Sequence, residues 1–381
     1  MEETSMNSVY AEDIHTLVTA DFPWKLLAGK TVLITGAGGF IASFLTQVLL
    51  AAGREHRLGL SVLALVRDRP KAERRFSHYM GAGGGTGEGA GNDAHGSAAK
   101  CTADGAAGLR LIVQDVTQPL GPETGRVDLI IHAASPASPV NFRDNPVGTI
   151  LPNVTGTANL LEYARTHGTA GFVFISSSEV YGRPRGRGRV AENGHGRLDP
   201  LDPRSCYGES KRMGENMCLA WFTRYGVPVK IARLFHTYGP GMNLDDGRVF
   251  ADFTANVVRH EPIAVKGNGK ARRTFCYLTD TVGGLLTVLF KGKYGQAYNI
   301  GNDEAEISVK ALARLLAGMF PEKKLGVIHT RRPERDAYLP STLRRIRPDT
   351  TKIRELGWRP MVGLREGFYR TVRSFTNEPS A

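Results

Sequence analysis

Short runs of consecutive apolar residues alternate along this chain with longer stretches in which apolar positions recur every three or four residues. The runs are KTVLITG (30–36), SVLALVR (61–67), LRLIVQDV (109–116), VDLIIHAAS (127–135), GFVFISSSEVYG (171–182) and VPVKIARLFHTYGP (227–240), with AYNIGN (297–302) as one further strand. An apolar run without polar alternation predicts a strand buried on both faces, as in a parallel sheet. Helical spacing fills the intervals, most clearly in FIASFLTQVLLAAG (40–53), which ends on Gly53, and over 147–168 and 207–226. Strands alternating with helices predict an α/β fold built on a doubly wound parallel sheet.

The positions of these elements divide the chain. Residues 1–28 form an N-terminal extension, in which Trp24, Leu26 and Leu27 predict an ordered cap packed on the domain that follows. Residues 29–235 make the dinucleotide-binding domain, to which the strand at 297–302 returns, and 236–296 with 303–381 make a smaller C-terminal substrate-binding domain. The segment GAGGGTGEGAGNDAHGSAAKCTADGAAG (81–108) has almost nothing to bury, which favours a flexible surface insertion over a functional lid.

Composition narrows the classes of function. With 41% hydrophobic and 23% charged residues in 381, the chain reads as ordinary globular protein. No apolar run approaches the roughly 20 residues of a membrane span. The start, MEETSMNSVYAED, is acidic and polar, unlike a secretory signal or a transit peptide. Cys101, Cys206, Cys218 and Cys276 lack metal-ligand spacing and read as reduced thiols of a cytoplasmic protein. The net charge of +12 raises the question of nucleic acid. Its basic residues cluster in RPRGRGR (183–189) and over 331–347 without an aromatic-interleaved helix, which favours solvated loops and a few residues facing a diphosphate.

Three constellations carry chemistry. TGAGGFIA (35–42) lies between an apolar strand and a helix start, the context in which glycines let a backbone approach a pyrophosphate. Gly36, Gly38, Gly39, Phe40 and Ile41 therefore predict a dinucleotide site in a Rossmann arrangement. Asp115 and Val116, ending the third strand, stand where an adenine is met, and Ala133, Ala134 and Ser135, ending the fourth, lie along the cofactor. The second strand ends in Val66-Arg67-Asp68 and not in an acid alone. Either Arg67 pairs with the 2′-phosphate of NADP, or Asp68 serves the ribose of NAD after a register shift. The second constellation, Tyr207-Gly-Glu-Ser-Lys211, places a phenol and an ammonium on one helix face. A cation beside a phenol lowers its pKa and makes it a base. The third, Ser176-Ser177-Ser178-Glu179-Val180-Tyr181-Gly182, puts hydroxyls and a carboxylate at the carboxyl end of a buried strand, where doubly wound sheets hold their sites. No metal-binding cluster accompanies them.

Together with HAASPASPVNF (132–142), DPRSCYGESKR (202–212), ARLFHTYGPGMNLDDGRVFADF (232–253), GNGKARRTFCYLTD (267–280) and RPDTTKIRELGW (347–358), these motifs resemble those of extended short-chain dehydrogenases. Within that superfamily the chain is most similar to the UDP-glucuronate decarboxylases, or UDP-xylose synthases. The resemblance implies a catalytic triad of Ser177, Tyr207 and Lys211, with Glu179 as the carboxylate that sets the subfamily. It places Arg273 at the C6 region of the substrate, Arg248 and Arg347 near its phosphates, Asn153 as a residue that orders the site, and Ser178 and His236 along the sugar. It also implies NAD as the cofactor, a UDP-linked sugar as the substrate and a homodimer formed through 147–168 and 207–226. The chain departs from the family pattern in having His236 for Asn and Gly241 for Arg, and in lacking the second-strand acid. Oxidation at C4 of the sugar leads to decarboxylation, dehydration or epimerisation. Ser178 stands where dehydratases carry an acid and Glu179 where simple 4-epimerases mostly carry none, which favours decarboxylation. A regulatory protein that kept the fold without its chemistry is the remote alternative, since all three triad residues are present.

Overall fold

A computed structural model describes residues 7–80, 107–184, 186, 188–330 and 345–376. The first part of the chain runs α1 (Ser8–Val18), β1 (Thr31–Thr35), α2 (Phe40–Glu55), β2 (Ser61–Val66), α3 (Arg69–Arg75), β3 (Gly108–Val113), β4 (Leu129–His132), α4 (Pro139–Asp144), α5 (Pro146–His167), β5 (Gly171–Ser177), α6 (Ser205–Tyr225) and β6 (Val229–Leu234). There follow β7 (Thr237–Tyr238), α7 (Val249–Val258), β8 (Ile263–Lys266), β9 (Arg272–Thr274), β10 (Cys276–Tyr277), α8 (Leu278–Lys291), β11 (Gln296–Ile300), β12 (Glu306–Ser308), α9 (Val309–Met319), β13 (Val327–Thr330), α10 (Thr351–Arg354) and α11 (Leu364–Arg373).

Seven strands form one parallel sheet in the order β11-β6-β5-β4-β1-β2-β3. The chain leaves β1 in one direction through β2 and β3, then crosses back to β4, β5 and β6. The carboxyl ends of β1 and β4 therefore mark the switch point at which such sheets open a crevice. Alternate residues of β1 feed opposite layers: Val32 and Ile34 pack with Phe44, Leu49 and Leu286, while Leu33 packs with Leu160, Phe172 and Phe174. Burying each such side chain stabilises the fold by about 1.5–3 kcal/mol. A second core, built from Phe250, Phe253, Phe275, Leu312, Leu316 and Phe368, belongs to the C-terminal elements.

The N-terminal extension is more regular than its sequence suggested. Asn7 caps α1, which buries Val9, Ile14, Leu17 and Val18 and packs against α2 and α8. Trp24 and Leu27 are buried, but Leu26 is 62% exposed and takes no part in the cap. Buried Asp13 accepts hydrogen bonds from Tyr277 at 2.6 Å and Arg370 at 2.7 Å, tying α1 to α11. The third strand ends at Val113, short of the 109–116 run. The glycine-rich insertion lies outside the described residues over 81–106, as does most of the 331–347 basic stretch. Among the described residues no helix is long and apolar enough to cross a membrane.

Candidate active site

A cavity of about 580 Å³ opens at the carboxyl ends of β1, β4, β5 and β6 and continues under the C-terminal elements. One end is backbone and small side chains: Gly36, Gly39, Phe40, Ile41, Ala133 and Ser135 line it. Gly36 has φ +65°, and a Cβ there would stand 2.7 Å from Ala134 Cα, so only glycine suits both the turn and the approach of the two strand ends. The Thr35 hydroxyl accepts from Ala133 and Ala134 N–H at 3.2 Å and meets His132 Nδ1 at 2.8 Å, which fixes that approach. Gly39 forms the N-cap of α2, whose first residue is Phe40. A tight glycine turn feeding a helix N-terminus has the donors and the space that a pyrophosphate requires, so these residues fit a dinucleotide.

The middle of the cavity holds Ser177, Tyr207 and Lys211. β5 delivers Ser177 at its last position, and α6 carries Tyr207 and Lys211 one turn apart on a buried face. The Tyr207 ring stacks on Phe142 of α4 at 4.8 Å with planes 13° apart. Lys211 Nζ donates to Ile175 O at 2.7 Å and lies 5.9 Å from the Tyr207 ring centroid. Burial pushes the Tyr207 phenol up to about 12; the Ser177 hydroxyl and Arg248 draw it back, against the charge of Glu179. Burial likewise pushes Lys211 down to about 7, with Glu215 opposing. Arg248 is thus a cation acting on Tyr207 that the YxxxK spacing did not reveal. A largely buried network holds these elements in place from behind: Ser176 Oγ donates to Glu215 at 2.5 Å, and Arg233 pairs with both oxygens of Glu215 at 2.6 and 2.9 Å.

The far end is charged. Ser178 and Glu179 lie on a short turn, Ser178–Tyr181, that follows β5. Glu179 is held by Arg204, Nη1 to Oε2 at 3.1 Å and Nη2 to Oε1 at 3.4 Å. Arg248, paired with Asp246, stands over the Phe250 ring at 4.9 Å, and Arg273 enters from β9. His236, between β6 and β7, lines the same space, and its Nδ1 is buried with no hydrogen-bond partner among the described residues. Burial, then Arg273, Arg248 and Arg204, pushes its imidazole down to about 3, so it is neutral in the physiological range. A neutral imidazole offers one donor and one acceptor, and an unpaired buried polar atom costs about 1–3 kcal/mol until a ligand satisfies it.

Several sequence-predicted residues stand apart from this cavity. Asn153 is buried behind α6, where it donates to Ser210 Oγ at 3.0 Å. Arg67 is exposed and faces Asp115 at 3.8 Å, while Asp115 also accepts from Thr117. Asp68 caps α3: its carboxylate accepts from Lys71 N–H at 2.9 Å. Val116 is buried in the core beside Gly156. Arg347 donates to Asp303 O at 2.8 Å, outside the cavity lining. Gly38 and Ala134 act through their backbone: the Gly38 carbonyl accepts from Arg75 at 3.1 Å, and Ala134 sets the limit on Gly36. Conversely, Arg204, Phe142 and Glu215 belong to the site and were passed over in the sequence. Arg204 stands three residues before Tyr207 and Glu215 four after Lys211, both helical spacings that place them near the YxxxK face.

Comparison with known proteins agrees with this geometry. Residues 32–301 match the pattern of the NAD dependent epimerase/dehydratase family. The chain is 35% identical over 350 residues to UDP-glucuronic acid decarboxylase 1 of Xenopus tropicalis, covering 92% of this chain and 73% of that protein. It is 40% identical over 346 residues to UDP-glucuronic acid decarboxylase 4 of Arabidopsis thaliana, covering 90% and 68%. Among solved structures, a dTDP-glucose 4,6-dehydratase from Streptomyces venezuelae with NAD bound superposes with TM-score 0.71 at 25% identity, over 91% of this chain and 97% of that one. A UDP-glucuronic acid 4-epimerase from Bacillus cereus, with TM-score 0.72, 22% identity and coverages of 91% and 99%, shares the fold.

Proposed function

We propose that this chain, which belongs to the NAD dependent epimerase/dehydratase family, is an NAD-dependent enzyme that decarboxylates UDP-glucuronate to a UDP-pentose. The observation that carries the reading is one cavity joining Ser177, Tyr207 and Lys211 to Arg273, with Ser178 and not a second acid beside Glu179. Bound NAD supplies a nicotinamide that accepts a hydride and can return it.

The chain's own residues do the rest. Tyr207 takes the proton of the sugar C4 hydroxyl, and Ser177 hydrogen-bonds the same oxygen. Burial disfavours the Lys211 charge, and its ammonium, 5.9 Å from the Tyr207 ring centroid, favours the phenolate that takes the proton. Once C4 is a ketone, a carboxylate on C5 is that of a β-keto acid. Its carbon–carbon bond breaks to release carbon dioxide, and the electron pair moves toward the C4 oxygen that Tyr207 and Ser177 hold. Arg273 pairs with the C6 carboxylate as a permanently charged fork. Glu179 positions the ring, His236 offers its free nitrogen to the sugar, and Arg248 serves the diphosphate side. Dehydration would need an acid to protonate the departing C6 hydroxyl, and Ser178 is a poor one.

Two coarser features complete the reading. Val147, Ile150 and Leu151 on α5, with Met213 and Leu219 on α6, leave an apolar face across two packed helices, which a second copy of the chain would cover. Cys206, Cys218 and Cys276 are free thiols, which suits a reducing cytoplasm. The deciding experiment supplies UDP-glucuronate labelled at C6 and follows carbon dioxide and the nucleotide product by mass spectrometry. Label leaving as carbon dioxide with a UDP-pentose is expected; label retained in UDP-galacturonate, a C5 epimer or a 6-deoxy-4-keto-sugar overturns the assignment.

A further inference from the structure

Placing a carboxylate beside a catalytic phenol creates a conflict, because a neighbouring negative charge opposes formation of the phenolate. Glu179 is in that position, and its charge works against Tyr207. The structure places a third group there. Arg204, at the N-cap of α6 three residues before Tyr207, is 9% exposed and grips both oxygens of Glu179 in a fork-to-fork pair. Its own backbone N–H is anchored on Asp202 Oδ1 at 2.9 Å, so the helix start that carries Tyr207 also carries the counter-charge.

We propose that Arg204 is a positioning residue whose guanidinium holds Glu179 as a paired carboxylate, so that the acid can orient the sugar without suppressing ionisation of Tyr207. The assignment of Glu179 to the sugar rests on the function proposed above; the balance of charge at Tyr207 does not depend on which sugar is bound.

The surroundings of the phenol make the pair's contribution readable. Tyr207 meets the hydroxyls of Ser177 and Ser135, the Glu179 carboxylate from the turn after β5, Arg248 from the segment before α7, Lys211 on its own helix and the Phe142 ring from α4. Around Arg204 stand Glu179, neutral His236 and the Cys206 thiol. Glu179 and Arg204 both line the cavity and are opposite charges in bidentate contact, so the carboxylate that acts on the phenol carries its counter-charge with it. Removing either member therefore unbalances the phenol in opposite directions.

The test uses the full chain loaded with NAD and without any sugar, with a fluorinated tyrosine incorporated at position 207 and its fluorine resonance followed against pH. Arg204→Gln is expected to move the midpoint to higher pH, making phenolate about tenfold scarcer at a given pH. Glu179→Gln alone, which leaves the arginine uncompensated, moves it to lower pH, and the double substitution returns it close to the starting value. Arg204→Lys keeps the charge and holds the midpoint, but loses the fork and lowers kcat for UDP-glucuronate. An unchanged midpoint in both Arg204→Gln and Glu179→Gln, or a shift in the double variant equal to that of Arg204→Gln alone, overturns the proposal. If Arg204→Gln does not fold, Glu179→Gln against the double variant, which buries no unpaired charge, decides the same question. Failure of UDP-glucuronate as a substrate would refute the reaction assignment and leave these titrations standing.

Discussion

The two ends of the cavity recognise their ligands by different means. The cofactor end is one short segment, Gly36 with Gly39 to Ile41, faced by Ala133 and Ser135, and the Ser135 hydroxyl is the one polar side-chain group among those six residues. The sugar end gathers Glu179, Arg204, His236, Arg248 and Arg273 from five separate segments, each contributing a titratable or charged side chain. Backbone recognition asks the sequence for absence, namely glycine where a Cβ would collide. Side-chain recognition asks for presence at points that only folding brings together. At Gly36 the first leaves no room for a side chain; the second can be retuned residue by residue, and the departure at His236 lies in it.

Breaking the cofactor end should have the largest effect. Gly36→Val places a branched side chain at φ +65° and against Ala134 Cα, so NAD binding measured by calorimetry should fall below detection. Affinity within a few-fold of the original would show that the glycine turn is not the cofactor contact. Tyr207→Phe, at the junction of the two ends, keeps the stacking on Phe142 and removes the base. Turnover should drop by about 10²–10⁴ while NAD affinity stays the same; near-normal turnover would remove Tyr207 from the mechanism.

The sugar end should respond selectively. Arg273→Ala should weaken UDP-glucuronate by about 2 kcal/mol or more, roughly thirtyfold, and UDP-glucose far less, because only the former loses a charge partner. Equal losses for both sugars in competition binding would move Arg273 away from the carboxylate. The remaining effect is on stability and leaves recognition of both ligands aside. Lys211 titrates near 7 in the fold against an ordinary 10.5, so between those values the folded chain binds fewer protons than the unfolded one. Its contribution therefore falls as pH drops from about 10.5 to about 7 and is constant below. Lys211→Met should unfold at a higher Tm than the parent at pH 7, with the gap closing toward pH 10; a constant gap would mean that the buried ammonium carries no such penalty.

Much of this architecture was legible in the chain. Apolar runs marked the strands of the central sheet because a strand buried on both faces has no polar alternate, and the TGAGGFIA turn marked the dinucleotide end because its requirement is local. The N-terminal extension was only half legible: Val9, Ile14, Leu17 and Val18 have helical spacing, yet the polar residues among them masked α1. Leu26 looked like part of the cap and is exposed, because hydrophobicity says a side chain can be buried and not that a partner surface awaits it.

What the residue order established, then, is whatever depends on neighbours along the chain: the strand and helix periods, the glycine turn, the helical reach from Tyr207 to Lys211. The fold alone decided that Asp68 caps α3, that Arg347 turns to Asp303, that Val116 joins the core, and that Arg204 closes on Glu179 across 25 positions of sequence. Charged side chains are long and make their strongest contacts with whatever opposite charge packing leaves within a few ångströms. Their partners are therefore chosen by three-dimensional neighbourhood, which periodicity and motif spacing do not encode.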